Sequence, residues 1–156
     1  MNIRDNARSE APYLLSVLRI VLALLFIEHG SMKLFDFPPS EHVSHLNLLS
    51  LGGLAAVMEF VGGLLLLAGL FTRVTAFLLS GEMAAAYLIA HASRGFFPAL
   101  NMGEAAVIYC FLFLYLAAAG AGPWSLDRVF RVPRAGDHHY PPDEAASRQL
   151  GHAMPS

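Results

Sequence analysis

Four apolar stretches dominate this chain and leave it few ways to fold. They run from Pro12 to Phe35, Gly52 to Phe71, Val74 to Ala92 and Asn101 to Gly122. In a helix rising 1.5 Å per residue, about 20 residues cross a hydrocarbon core of roughly 30 Å. None of the stretches alternates with period 2 as a barrel strand does. Inside lipid a backbone must satisfy its own polar groups, so each stretch is expected to be a helix. The expected fold class is therefore all-α: a polytopic membrane protein built as an antiparallel four-transmembrane-helix bundle. Composition agrees. Of 156 residues, 56% are hydrophobic and 14% are charged, against roughly 25% charged in an ordinary soluble domain.

The rest of the chain fits that plan. Residues 1–11 are expected to form a cytoplasmic N-terminal tail, 12–130 the membrane domain, and 131–156 a flexible cytoplasmic C-terminal tail. The first stretch is too long for a signal peptide and ends in HGSMKLF, which is no cleavage site. Thr72-Arg73 forces a tight hairpin between spans two and three. Ser40 is placed to cap a short interfacial helix in the longest linker. Lys and Arg set the orientation. Arg4, Arg8, Arg73, Arg128, Arg131, Arg134 and Arg148 fall on one side, and Lys33 and Arg94 on the other. That bias puts both termini in the cytoplasm. A net charge of −2 is no polyanion-binding balance, so no nucleic-acid partner is expected. The one cysteine, Cys110, excludes a disulfide within the chain and any Cys-x-x-Cys motif.

The informative residues are the charged ones inside the spans: Arg19, Glu28, Lys33, Glu59, Glu82 and Glu104, joined by His29 and His91. A charge at mid-bilayer costs roughly 2.5–3.5 kcal/mol on insertion scales, so such groups face protein or water. Arg19 lies seven residues after Pro12, and Glu82 eight after Val74. Similar depth makes Arg19 and Glu82 a candidate buried ion pair, with a purely architectural clamp as the alternative role. The other polar groups converge on the opposite half. Glu28, His29 and Lys33 close span one, Glu59 lies early in span two, His91 ends span three, and Asn101 and Glu104 open span four. These seven form the expected ligand-binding layer. A metal set of His29, Glu59, His91 and Glu104 is a second reading, although the Glu-x-x-His signature of bundle di-iron sites is missing. Within the spans four carboxylates face two cations. At least one of Glu28, Glu59 and Glu104 is then expected to be protonated, or neutralised by a cation or metal.

Four segments carry a family resemblance: HGSMKLF at 29–35, EFVGGLLLLAGLFTR at 59–73, NMGEAAVIY at 101–109 and GAGPWSLDR at 120–128. In their order and spacing they resemble the DoxX family of small four-helix bacterial inner-membrane proteins, over about residues 12 to 130. The resemblance implies polar positions of family type at His29, Lys33, Glu59, Asn101 and Glu104. It also implies a link to quinone-dependent sulfur oxidation and to membrane parts of redox-stress complexes.

The leading expectation is thus a membrane subunit of a redox system, in contact with the lipid bilayer, with a quinone or small-molecule site in the extracytoplasmic half. Whether the chain itself is an enzyme stays open. Two other readings stand beside it. One is a small-solute or proton transporter or channel, which needs a homo-oligomer because four unbroken helices are few for alternating access. The other is a scaffold holding soluble redox enzymes through the C-terminal tail.

Overall fold

Helix α1 runs from Ile3 to Phe35, α2 from Leu51 to Ala68, α3 from Thr72 to Ala86 and α4 from Glu104 to Ala119. A single turn, α5, follows at Leu126–Val129. The computed structural model describes residues 3–39 and 49–130, and no strand occurs among them. The helix expected after Ser40 and the tail from 131 lie outside the described residues.

Local chemistry explains the boundaries. The Ser50 hydroxyl accepts from the Gly53 N–H at 3.1 Å and starts α2. Gly69 ends it in the left-handed conformation, φ 67°. The N–H groups of Gly69 and Leu70 return to the carbonyls of Leu66 and Leu65, at 3.0 and 2.9 Å. This is a Schellman ending, which a glycine enters without the Cβ penalty. The turn between α2 and α3 is therefore Gly69–Phe71 rather than Thr72-Arg73, and Thr72 already belongs to α3. Beyond Ala86 the third span continues as a π-helical turn, Tyr87–His91, and a 3-10 turn, Ala92–Arg94.

Two span limits differ from the sequence reading. The first helix begins at Ile3, well before Pro12, which lies within it. The fourth is shorter than Asn101–Gly122. Its 16 residues cover about 24 Å, because Asn101–Gly103 turn the chain at one end and Gly120, at φ 96°, turns it at the other.

The helices α1 and α2 lie closest together. A Cβ added at Gly30 would stand 2.6 Å from the Phe60 backbone nitrogen, and one at Gly63 3.0 Å from the Ala23 carbonyl. Small residues permit such approach between membrane helices. Helices α3 and α4 are tied by the Ser80 hydroxyl, which donates to the Cys110 carbonyl at 2.8 Å. The two pairs meet over Leu22, Phe26, Leu66, Leu79, Met83, Phe113 and Leu116, all buried. Outward lie exposed apolar side chains on every helix, among them Val21, Leu24, Leu54, Val61, Phe77, Leu88 and Phe111. An apolar surface so extensive is stable facing lipid and not facing water. Three spans, Glu10–Phe35, Leu51–Ala68 and Thr72–Arg94, are long and apolar enough to cross a membrane, with α4 as a shorter fourth.

Candidate functional site

The bundle has two polar ends with different chemistry. At the end that carries the α2–α3 turn, three helix termini are capped by charged side chains. Arg19 is fully buried. Its guanidinium donates to the carbonyls of Leu67 and Ala121, each at 2.9 Å, and also to those of Leu66 and Trp124. Arg73 donates to the carbonyls of Ala117 and Ala118 at 3.0 and 2.6 Å, at the C-terminus of α4. The Asp127 carboxylate accepts from the N–H groups of Phe71 and Thr72 at 2.7 and 2.8 Å, where α3 begins. Cations thus meet the carbonyl ends of two helices and an anion meets the N–H end of a third, as the helix dipole favours. Residues 120–128 form the clasp that organises these contacts. The Trp124 N–H donates to the Ser16 hydroxyl at 3.2 Å, and the Asp127 N–H to the Gly69 carbonyl at 2.8 Å. A cavity of 1240 Å³ opens beside the clasp, lined in part by Phe71, Arg73, Tyr115 and Asp127. Both charged groups named here already serve helix ends.

These contacts correct the Arg19–Glu82 pair. Arg19 lies level with the last turn of α2, where carbonyls of α2 and the clasp accept four of its N–H groups. Glu82 lies deeper, in the second half of α3. Counting depth from Pro12 misplaced Arg19, because α1 projects past the α2–α3 turn before it enters the bundle.

Glu82 belongs to another cluster. Gly62 packs on Leu79, and in an antiparallel pair the next turn brings Glu59 level with Glu82. From α1, Lys33 Nζ bonds both Glu59 oxygens, at 2.6 and 2.7 Å. Glu59 is 2% exposed. Both Glu82 oxygens are buried with no hydrogen-bond partner, within electrostatic reach of Glu59 and Lys33. A buried carboxylate with no cation bonded to it is therefore present, but it is none of Glu28, Glu59 and Glu104. Glu59 is neutralised by Lys33, while Glu28 and Glu104 are exposed. The unpartnered group is Glu82, which had been assigned to Arg19.

The remaining polar residues divide into two groups. Asn101, 2% exposed, closes the loop that joins α3 to α4. Its Nδ2 donates to the Gly95 carbonyl at 2.7 Å and to the Tyr87 hydroxyl at 3.4 Å, and its Oδ1 accepts from the Gly103 N–H at 2.8 Å. His91 Nδ1 lies 3.1 Å from the Asn101 carbonyl. Asn101→Asp exchanges two donors for an acceptor facing the Gly95 carbonyl. It is expected to destabilise by about 2–3 kcal/mol, whereas Glu104→Gln, at an exposed position, should be near neutral. Thermal unfolding of both variants in detergent checks this. Equal midpoints would show that the Asn101 amide bonds do not hold the loop.

His29 stands apart, on the α1–α4 side. Its Nδ1 lies 2.8 Å from the Leu25 carbonyl. A carbonyl only accepts, so Nδ1 donates, and in the neutral ring Nε2 keeps its lone pair. The Tyr109 ring lies 6.3 Å away, roughly edge-on, and Glu28 lies within electrostatic reach of Tyr109. Among the described residues no group of three His, Cys, Asp or Glu side chains converges as a metal would require. The set His29, Glu59, His91 and Glu104 is accordingly dispersed, with Glu59 held by Lys33 and His91 at the Asn101 loop. Tyr109, Tyr87, Arg73 and Asp127 were not singled out as site residues from sequence. Tyr109, Arg73 and Asp127 lie in segments that carry the family resemblance, but those segments do not say what the side chains bind.

Fold and site together define a polytopic helical membrane protein with a cluster of ionisable side chains inside its bundle. The DoxX family model matches residues 14–92. An uncharacterized protein of Haemophilus influenzae is 46% identical over 134 residues, covering 81% of this chain and 97% of that protein. No solved structure matches the chain. The chain belongs to the DoxX family.

Proposed function

We propose that this chain is an inner-membrane subunit of a redox system, with both termini cytoplasmic and a quinone-type ring bound on the α1–α4 side of its loop-bearing half. The observation that carries the reading is His29. Its Nδ1–H is fixed on the Leu25 carbonyl, which leaves Nε2 open beside Tyr109. A quinone-type ring supplies the redox chemistry when bound. The chain's own residues position the ring and move protons. His29 Nε2 accepts from a ring hydroxyl, the Tyr109 hydroxyl donates to a ring carbonyl, and Glu28 exchanges protons with solvent. The Tyr109 ring packs edge-on against the buried Phe26, centroids 5.1 Å apart, which holds it in place beside His29. The arginine-rich turn end supports cytoplasmic termini. The family's links to quinone-dependent oxidation support the substrate class.

Equilibrium binding of a short-chain ubiquinone analogue to the full chain in lipid nanodiscs tests the proposal. His29→Ala and Tyr109→Phe should each weaken binding by about tenfold, or about 1.4 kcal/mol, without changing thermal stability. Binding that both variants retain unchanged sinks the proposed site.

A further inference from the structure

Three ionisable side chains meet at one level inside the bundle, and they comprise two carboxylates and one cation. Lys33 reaches from α1 and is bonded to Glu59 of α2. Glu82 comes from α3, with both oxygens buried and unpartnered. From α4, Tyr109 and Cys110 lie near the same level, as the Ser80–Cys110 hydrogen bond fixes. The charges that act on Glu82 are those of Glu59 and Lys33. Arg19, the other cation of the spans, is committed to carbonyls at the turn end.

We propose that Glu82 and Glu59 form a proton-binding site inside the membrane domain, sharing one proton and one lysine. One ammonium neutralises one carboxylate. A second bare carboxylate, buried without a hydrogen bond, carries a large desolvation cost. A proton removes that cost, and it needs no further ligands. Two arrangements then have the same charge. In one, Glu82 holds the proton while Lys33 bridges to Glu59, as the structure shows for Lys33. In the other, the proton has passed to a Glu59 oxygen, its former bonding pair stays on Glu82, and the Lys33 ammonium has swung to Glu82. Proton and ammonium move in opposite senses, so no net charge is created in the low-dielectric interior. The flexible four-carbon stem of lysine suits this exchange, where a planar guanidinium would not. The site is separate from the His29–Tyr109 pair and does not depend on the quinone reading.

Infrared spectroscopy of the full chain in ester-free detergent at neutral pH tests the site. The wild type should show one deuterium-sensitive protonated-carboxyl band, in sodium-free and sodium buffers alike. Glu82→Gln should lose the band, and Glu28→Gln and Glu104→Gln should keep it. Glu59→Gln should also lose it, because the released Lys33 then neutralises an ionised Glu82. Lys33→Met should show a second band. A wild type without the band, a band that survives Glu82→Gln, or a band that sodium abolishes overturns the proton site. A band that persists in Glu59→Gln overturns the sharing of Lys33. The four glutamine variants are near-isosteric, so the test stands even if Lys33→Met does not fold.

Discussion

Arg19→Met should destabilise the protein by at least about 3 kcal/mol, the largest loss expected from a single side chain outside the ionisable cluster. The guanidinium holds four carbonyls, from Leu66 and Leu67 at the end of α2 and from Ala121 and Trp124 in the clasp. Leu66 retains a partner in the Gly69 N–H. The others lose a charge-assisted donor at partly buried carbonyls. The clasp also carries Asp127, which caps α3, so its loss propagates to a second helix. Arg19→Lys should recover less than half of the stability, because an ammonium lacks the planar fork that spans two chain segments. Reversible unfolding in detergent measures both variants. A lysine variant as stable as the wild type would show that a single positive charge suffices and that the fork is irrelevant.

Gly30→Ala and Gly81→Ala should change stability in opposite directions. At Gly30 the new methyl would lie 2.6 Å from the Phe60 nitrogen and 2.7 Å from its Cα. Those are backbone atoms, so the helices α1 and α2 must separate. Overpacking of this kind costs about 1–3 kcal/mol. Lys33 lies one turn from Gly30, and Glu59 adjoins Phe60, so the same separation also stretches the ion pair. At Gly81 nothing lies within 4 Å of the added atom. There alanine gains helix propensity, worth about 0.5–1 kcal/mol. Unfolding midpoints of the two variants, measured in one detergent, check the pair. A stabilised Gly30→Ala would mean that α1 and α2 do not pack as closely as described.

How far the site was legible in sequence depended on what each residue needed. Spans were legible because lipid leaves a backbone one way to satisfy itself, and that demand is written into run length. Lys33 and Glu59 were legible as polar intruders, though not as partners, since pairing depends on helix register. Arg19 and Glu82 were equally visible and were matched wrongly. Counting residues assumed a common entry depth, whereas α1 begins at Ile3 and runs beyond its neighbours. An arginine also need not seek a carboxylate when a helix end offers several carbonyls. Asn101 read as a ligand because it is polar and near an outer end, but its amide is used inside its own loop. Tyr109 and Asp127 were missed because nothing local distinguishes a working tyrosine or aspartate from an ordinary one.

By itself the sequence determined the class of protein, the number of spans and the presence of more carboxylate than cation within them. Those properties follow from composition and run length, which solvent reads residue by residue. Tertiary structure decided which charges neutralise each other. The Gly62–Leu79 contact sets α3 against α2, and Gly30 and Gly63 set α1 against α2. Those registers bond Lys33 to Glu59, set Glu82 level with Glu59 and send Arg19 to a helix end. Electrostatic pairing falls off over a few ångströms, so it is settled by packing contacts that no count along the chain contains.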